Sequence, residues 1–261
     1  IGYLILETEQ IEIKTSQQKT YPAQVVAYDQ ATGFGLIKSL VPLQGVEPVK
    51  LGKVNEEKIE SSLWVVSAGQ LAVSTPTKLI DIRSFTGYWE YHLDSAIYTS
   101  PPVTNHSGAG LFNQKGELIG IGSLFVQDVM PADHSSRLAG NMFVPVDLLE
   151  PIFKNLLQNG VGPNSQRAWL GINAVERQGR IQIVRVTPES PAYLAGIRPG
   201  HWLLGLNEKP VQSLSAFYKQ LWALPINSGS VKVTVFDGRD INQIPVDLVD
   251  RSKTIKKPAG V

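Results

Sequence analysis

The 261-residue chain has no cysteine. Disulfides and thiolate metal sites are therefore excluded, and the compartment cannot be read from redox chemistry. It also lacks a charge excess: 24 Lys and Arg against 23 Asp and Glu leave a net charge of +1. The only Lys-rich spot is Lys253, Lys256 and Lys257 near the C-terminus, so no basic stripe exists to neutralise phosphates and no nucleic-acid partner is expected. No run of roughly 18 apolar residues is present, so no segment of this sequence reads as a membrane-spanning helix. Histidine is scarce, with four residues. None is spaced as in H-E-x-x-H or as an i, i+4 pair, and Asp94 and Asp133-His134 are isolated, so neither a metal nor another cofactor is expected.

What is present is a globular composition, 43% hydrophobic and 18% charged, with 23 Gly and 17 Pro scattered rather than repeated. The length suffices for two domains, each with its own apolar core. Up to about residue 150 the chain alternates in short strand-like runs, such as Gln10-Ile11-Glu12-Ile13-Lys14 and Ala23-Gln24-Val25-Val26-Ala27-Tyr28. Turn signals punctuate them at Ala31-Thr32-Gly33, Ser67-Ala68-Gly69 and Asn113-Gln114-Lys115-Gly116, as in an all-β sandwich or barrel. Residues 146–157 show helical spacing, with Asp147 as the expected N-cap. The Gly- and Pro-containing stretch 158–166 reads as a linker. Residues 167–250 predict a smaller α+β unit, with helices near Pro191–Gly196 and Ser213–Leu224 and a hairpin at Asp237-Gly238. A tail, 251–261, follows. The chain opens at Ile1-Gly2-Tyr3-Leu4 without an initiator Met, as if within a strand, which is expected of a processed or partial chain whose leader lies outside it.

Asn105-His106-Ser107-Gly108-Ala109-Gly110-Leu111, followed by Gly116-Glu117-Leu118-Ile119-Gly120-Ile121, resembles the Gly-Asn-Ser-Gly-Gly-Pro-Leu and Gly-Glu-Val-Ile-Gly-Ile segments of HtrA/Deg serine proteases. Tyr21-Pro22-Ala23-Gln24-Val25-Val26-Ala27-Tyr28-Asp29 and Phe143-Val144-Pro145-Val146 are similar to the hairpin and strand that flank them in that family. The resemblance covers most of residues 1–150 and implies a trypsin-like double β-barrel, with Ser107 in the nucleophile position. The triad histidine then falls on Tyr3 and the triad aspartate on Gly33. An acyl-transfer serine needs an imidazole base held by a carboxylate, and neither a phenol of pKa about 10 nor a glycine supplies that. Asn105 stands where the family has Gly, which puts the oxyanion hole, formed by Asn105 and Ser107, in question. His106 points away from its neighbour Ser107 on an extended segment. His92, in the aromatic-rich run Tyr88 to Leu93, is expected beside the cleft, whereas His134 falls in a polar loop and His201 on the surface of the second domain.

Trp169-Leu170-Gly171-Ile172, with Glu189-Ser190-Pro191-Ala192 through Ala195-Gly196-Ile197 and Pro199-Gly200, resembles the carboxylate-binding loop and following segment of HtrA-type PDZ domains. By that resemblance the amides of Leu170, Gly171 and Ile172 form a nest for a terminal carboxylate, beside a strand edge that takes an extended peptide. The helix after Ser213 would supply Phe217 and Leu221 as the other wall. Trp222 is expected to be core. The resemblance also implies a bacterial periplasmic or envelope setting. It implies protein C-termini or unfolded polypeptides as partners, and trimers or larger cages in the family, although the residues that commonly make those contacts precede the first barrel strands. Three functions stay open. One is a pseudoprotease acting as an adaptor, chaperone-like holder or assembly factor; another is an active endopeptidase using Ser107 with either a histidine before Ile1 or a distant group as base; the last is a structural subunit of an envelope complex.

Overall fold

The computed structural model describes residues 1–6, 8–68, 73–131 and 134–255. Gly69, Asp133, Lys256 and Lys257 lie outside them. The chain divides into two compact units, one comprising Ile1–Ser84 and Asp94–Pro163, the other Phe85–Leu93 and Asn164–Ile255. The division at Pro163/Asn164 falls within 158–166. Residues 85–93, expected in the first domain, belong to the second, as do 251–255 of the expected tail.

The first unit is mainly β. Strands β1 (Ile11–Lys14), β2 (Thr20–Tyr28) and β3 (Gly35–Ser39) form a three-stranded antiparallel sheet. Strands β4 (Ser62–Ser67), β5 (Val73–Gly87), β6 (Tyr91–Ser100), β7 (Gly110–Phe112), β8 (Leu118–Val126) and β9 (Gly140–Pro145) close a barrel in the order β4-β5-β6-β9-β8-β7. Of the two barrels implied by the resemblance, one closes and residues 11–39 form an open sheet. Period-two alternation turns Leu63 and Val65 of β4 inward, at 0% exposure, against Leu79, Ile97, Leu111, Ile119 and Phe143; each such side chain contributes roughly 1.5–3 kcal/mol on burial. Helix α1 (Glu150–Asn159) begins later than its periodicity suggests. Asp147 does not cap it: the residue sits in a 3-10 turn, and its carboxylate accepts from the Val54 amide at 3.2 Å. Gly160, at φ 72°, ends the helix with its N–H on the Leu156 carbonyl at 3.0 Å, a left-handed cap that suits glycine. The first residues form a 3-10 turn, Gly2–Leu4, rather than the expected strand.

The second unit is built on a sheet in the order β11-β12-β13-β15-β16. Strand β10 (Ala168–Trp169) precedes β11 (Ile172–Arg177), β12 (Arg180–Val186), β13 (Trp202–Leu206), β14 (Lys209–Pro210), β15 (Ser230–Phe236), β16 (Ile241–Asp247) and β17 (Val249–Asp250). Strands β10 and β17 pair separately. Helices α2 (Pro191–Leu194) and α3 (Leu214–Trp222) start on serines whose hydroxyls accept from the Tyr193 and Ala216 amides, because a side-chain oxygen satisfies an amide that has no intrahelical partner. The β15–β16 hairpin turns over residues 237–240, where the Asp237 carboxylate accepts from the Arg239 and Asp240 amides. Leu170, Ile172, Ile183, Phe217, Tyr218, Leu221 and Val233 are among the core residues.

Candidate functional site

In the first unit, Ser107 sits on a loop fixed to β8 by backbone bonds. The Gly108 amide donates to Gly122 O at 2.8 Å, and the Gly122 amide to Ala109 O at 2.8 Å. Gly108 takes φ 79°, and a Cβ on Gly122 would stand 1.8 Å from His106 O, so the loop approaches the strand as closely as glycine permits. Asn105 and Ser107 line a cleft of about 600 Å³ with Val66, Ser67 and Thr104. Asn105 is not in the left-handed region; in this loop glycine 108 takes that conformation instead.

The two remaining positions implied for the triad meet at the start of the chain. Gly33 ends the turn after β2, and its carbonyl receives the Gly2 amide at 2.7 Å. A Cβ on Gly2 would come within 2.2 Å of the Tyr28 ring, so only glycine lets the 3-10 turn lie this close. That turn carries Tyr3, whose hydroxyl lies 2.7 Å from Ser107 Oγ and 2.8 Å from the Ser123 carbonyl on β8. A phenol has one proton and a carbonyl only accepts. The Tyr3 hydroxyl is the donor in both contacts, its one proton shared between two acceptors, Ser107 Oγ and the Ser123 carbonyl. The group that meets the Ser107 hydroxyl is thus a phenol, which is a very weak proton acceptor.

The histidines are engaged elsewhere. His106 Nδ1 lies 3.1 and 3.0 Å from the carbonyls of Val103 and Thr104, which fixes it as a donor to backbone. His134 Nδ1 receives Ser136 N–H and lies 2.9 Å from its hydroxyl. His92 is buried with Nδ1 2.9 Å from Thr86 Oγ1 and belongs with 85–93 to the second unit, not to the cleft of the first. His201, expected on the surface, is half-buried, and its Nδ1 is buried. Among the described residues no cluster of three or more His, Asp or Glu is arranged to hold a metal.

In the second unit the loop Leu170-Gly171-Ile172 joins β10 to β11. Gly171 adopts φ 82°, and a Cβ there would meet Ser190 Cβ at 2.2 Å. This conformation aims successive amides at one point. A carboxylate stands there: Glu90 Oε1 accepts from Gly171 N and Ile172 N, both at 2.9 Å. Beside it, the Ala174 amide of β11 donates to Tyr88 O at 3.0 Å. Burial pushes the Glu90 carboxyl up to about 7, against the opposing pull of the Ile172, Gly171 and Leu170 amides and of Arg251. Phe217 and Leu221 are fully buried in the core. The α3 side chain that reaches the Glu90 segment is Tyr218, whose hydroxyl accepts from Glu90 N and donates to Gly87 O, both at 3.0 Å. Trp169 lies half-buried under the Arg251 guanidinium, and Trp222 stacks on Tyr218 with its centroid 5.2 Å away. Sequence reading missed Glu90 and Tyr218. Helical spacing does place Tyr218 beside Phe217 and Leu221, whereas nothing local marks Glu90.

Residues 4–121 match the trypsin-like peptidase domain family, and residues 182–219 match the PDZ domain family. The chain is 23% identical to a probable serine protease do-like from Buchnera aphidicola subsp. Acyrthosiphon pisum over 263 residues, covering 95% of this chain and 52% of that protein. It is 21% identical over 248 residues to the periplasmic serine endoprotease DegP of Escherichia coli K12, covering 89% of this chain and 50% of that protein. The chain thus spans about half the length of the curated relatives it matches. In fold it is similar to the HtrA-type protease AlgW solved with a decapeptide. There the TM-score is 0.58 and the identity 16%, over 96% of this chain and 78% of that one.

Proposed function

Because this chain belongs to the HtrA/Deg family, which joins a trypsin-like peptidase domain to a PDZ domain, we propose that it is a member that binds polypeptide without cutting it. Peptides or protein C-termini are its ligands, taken by the PDZ domain, and its role is that of an adaptor, chaperone-like holder or assembly factor in the cell envelope. The observation that carries this reading is the Tyr3 hydroxyl 2.7 Å from Ser107 Oγ, in the place from which an imidazole would have to act. A serine hydroxyl bonded to a phenol keeps its proton at neutral pH, and the carboxylate that would orient a base is replaced by Gly33. The peptide half of the reading is supported by the amides of Gly171 and Ile172 converging on a carboxylate, the chemistry that a chain terminus offers. A relative solved with a decapeptide is consistent with it, and the periplasmic relatives support the compartment.

A fluorophosphonate probe tests the first half. The expected result is no stoichiometric labelling of Ser107 and no casein turnover. Labelling, or turnover abolished by Ser107→Ala, would establish the endopeptidase reading instead.

A further inference from the structure

The carboxylate on the Gly171 and Ile172 amides belongs to the chain itself. Its segment, Gly87 to Glu90, lies in the same compact unit as the loop that holds it. Two features mimic an added peptide at once: the backbone bond from Ala174 N to Tyr88 O extends the sheet edge at β11, and the Glu90 side chain seats an oxygen where a chain terminus would place one. We propose that residues 87–90 are an internal competing ligand of the PDZ groove, and that a polypeptide C-terminus binds by displacing Glu90 from the Gly171 and Ile172 amides. This rests on the peptide-binding reading above and adds how that site is regulated.

The occupant is held in a way that allows displacement. Glu90 lies at φ 58°, in the left-handed region that non-glycine residues seldom adopt. Its second oxygen, Oε2, is buried without a hydrogen-bond partner, and an orphaned buried oxygen weakens the seating. Tyr88 and Trp89, the two residues before Glu90, are 53% and 40% exposed, so their rings gain only part of the burial open to them. Against this stand the amide bonds and the two bonds through the Tyr218 hydroxyl. A terminal carboxylate keeps the amide bonds while releasing the left-handed residue.

The geometry also selects ligand chemistry. The ligand must carry a free carboxylate, and the loop's surroundings are apolar core, Leu170 and Ile172 with the Tyr218 ring, so an apolar last side chain suits it. Charge enters as well: burial raises the Glu90 carboxyl, and the ionisable groups that act on it are Arg251 and the phenol of Tyr218. Protonated Glu90 suits the buried seat better than ionised Glu90, so occupation weakens as pH rises through about 7.

The test is fluorescence anisotropy with the full chain and a labelled octapeptide pool ending in Val, Leu, Phe or Tyr, with the same pool C-terminally amidated as control. Hydrogen exchange at the Ala174 amide is read alongside. Glu90→Ala should bind the free-acid pool at least tenfold tighter than the unaltered chain, neither should bind the amidated pool, and the Ala174 amide should exchange faster in the variant. Tyr218→Phe, which keeps the ring but loses both hydroxyl bonds, should shift affinity in the same direction and serves if Glu90→Ala does not fold. Equal affinity in the variants and the unaltered chain would overturn the internal-ligand proposal and leave the peptide-binding reading standing. Absence of binding with the Ala174 amide released would overturn the peptide-binding reading itself. An Ala174 amide still protected in Glu90→Ala would show that Glu90 does not hold the segment, which also refutes the proposal.

Discussion

Replacing Glu90 by Gln should remove a pH dependence of stability that the unaltered chain carries. The carboxyl is buried among the Leu170, Gly171 and Ile172 amides and is pushed up to about 7 from an ordinary value of 4.5, desolvation being the largest cause. Between those values the folded chain holds a proton that the unfolded chain releases, so stability falls as pH rises, by about 1.4 kcal/mol per unit. The full loss is on the order of 3 kcal/mol, developing from about pH 4.5 and complete above about pH 7. Asp237 acts with the opposite sign: the Asp240 and Arg239 amides hold its carboxyl below 3.8, so its contribution is already complete above that range and does not tilt the window. Gln at position 90 keeps an oxygen for the two amides and removes the titration. Urea unfolding at pH 5.5, 6.5, 7.5 and 8.5 can be followed by tryptophan fluorescence, since four of the five tryptophans (Trp89, Trp169, Trp202 and Trp222) lie in the second unit. The unaltered chain should lose stability across the series and Glu90→Gln should not. Parallel profiles for the two proteins would refute the burial of an ionisable carboxyl on those amides.

Tyr3→Phe removes the bonds to Ser107 Oγ and Ser123 O at a site 44% exposed. It should destabilise the first unit by about 1 kcal/mol or less in thermal melts, and Ser107 should stay unreactive to fluorophosphonate because losing a phenol creates no base. Gly122→Ala drives a methyl to 1.8 Å from His106 O. It should destabilise by about 3 kcal/mol or more, and amide exchange at Gly108 should rise as the loop parts from β8.

The loops that carry these side chains were legible in order along the chain. The Ser107 loop, the turn at Gly33 and the Trp169 to Ile172 loop are local patterns, in which glycines mark the places where backbone must turn or approach closely. Aligned motifs set Tyr3 at the family's histidine position, and only the structure brings its hydroxyl within 2.7 Å of Ser107 Oγ. Sequence periodicity misplaced the cap of α1, because Asp147 finds the Val54 amide from a distant loop. The PDZ resemblance put Phe217 and Leu221 on a groove wall; both lie fully buried, and the α3 residue bonded to the Glu90 segment is the equally buried Tyr218.

By itself, the sequence determined the mainly β character of the chain, the glycine-containing loop at 170–172, and that positions 3 and 33 carry neither imidazole nor carboxylate. These follow from short-range chemistry: side-chain alternation, glycine at positive φ, and which residue types carry a titratable base. Only the tertiary structure decided that residues 85–93 leave the first unit for the second and that Glu90 reaches amides 81 and 82 residues away. A buried carboxylate finds its partners through folding of the whole chain, and no local pattern of residues encodes a bond across that separation.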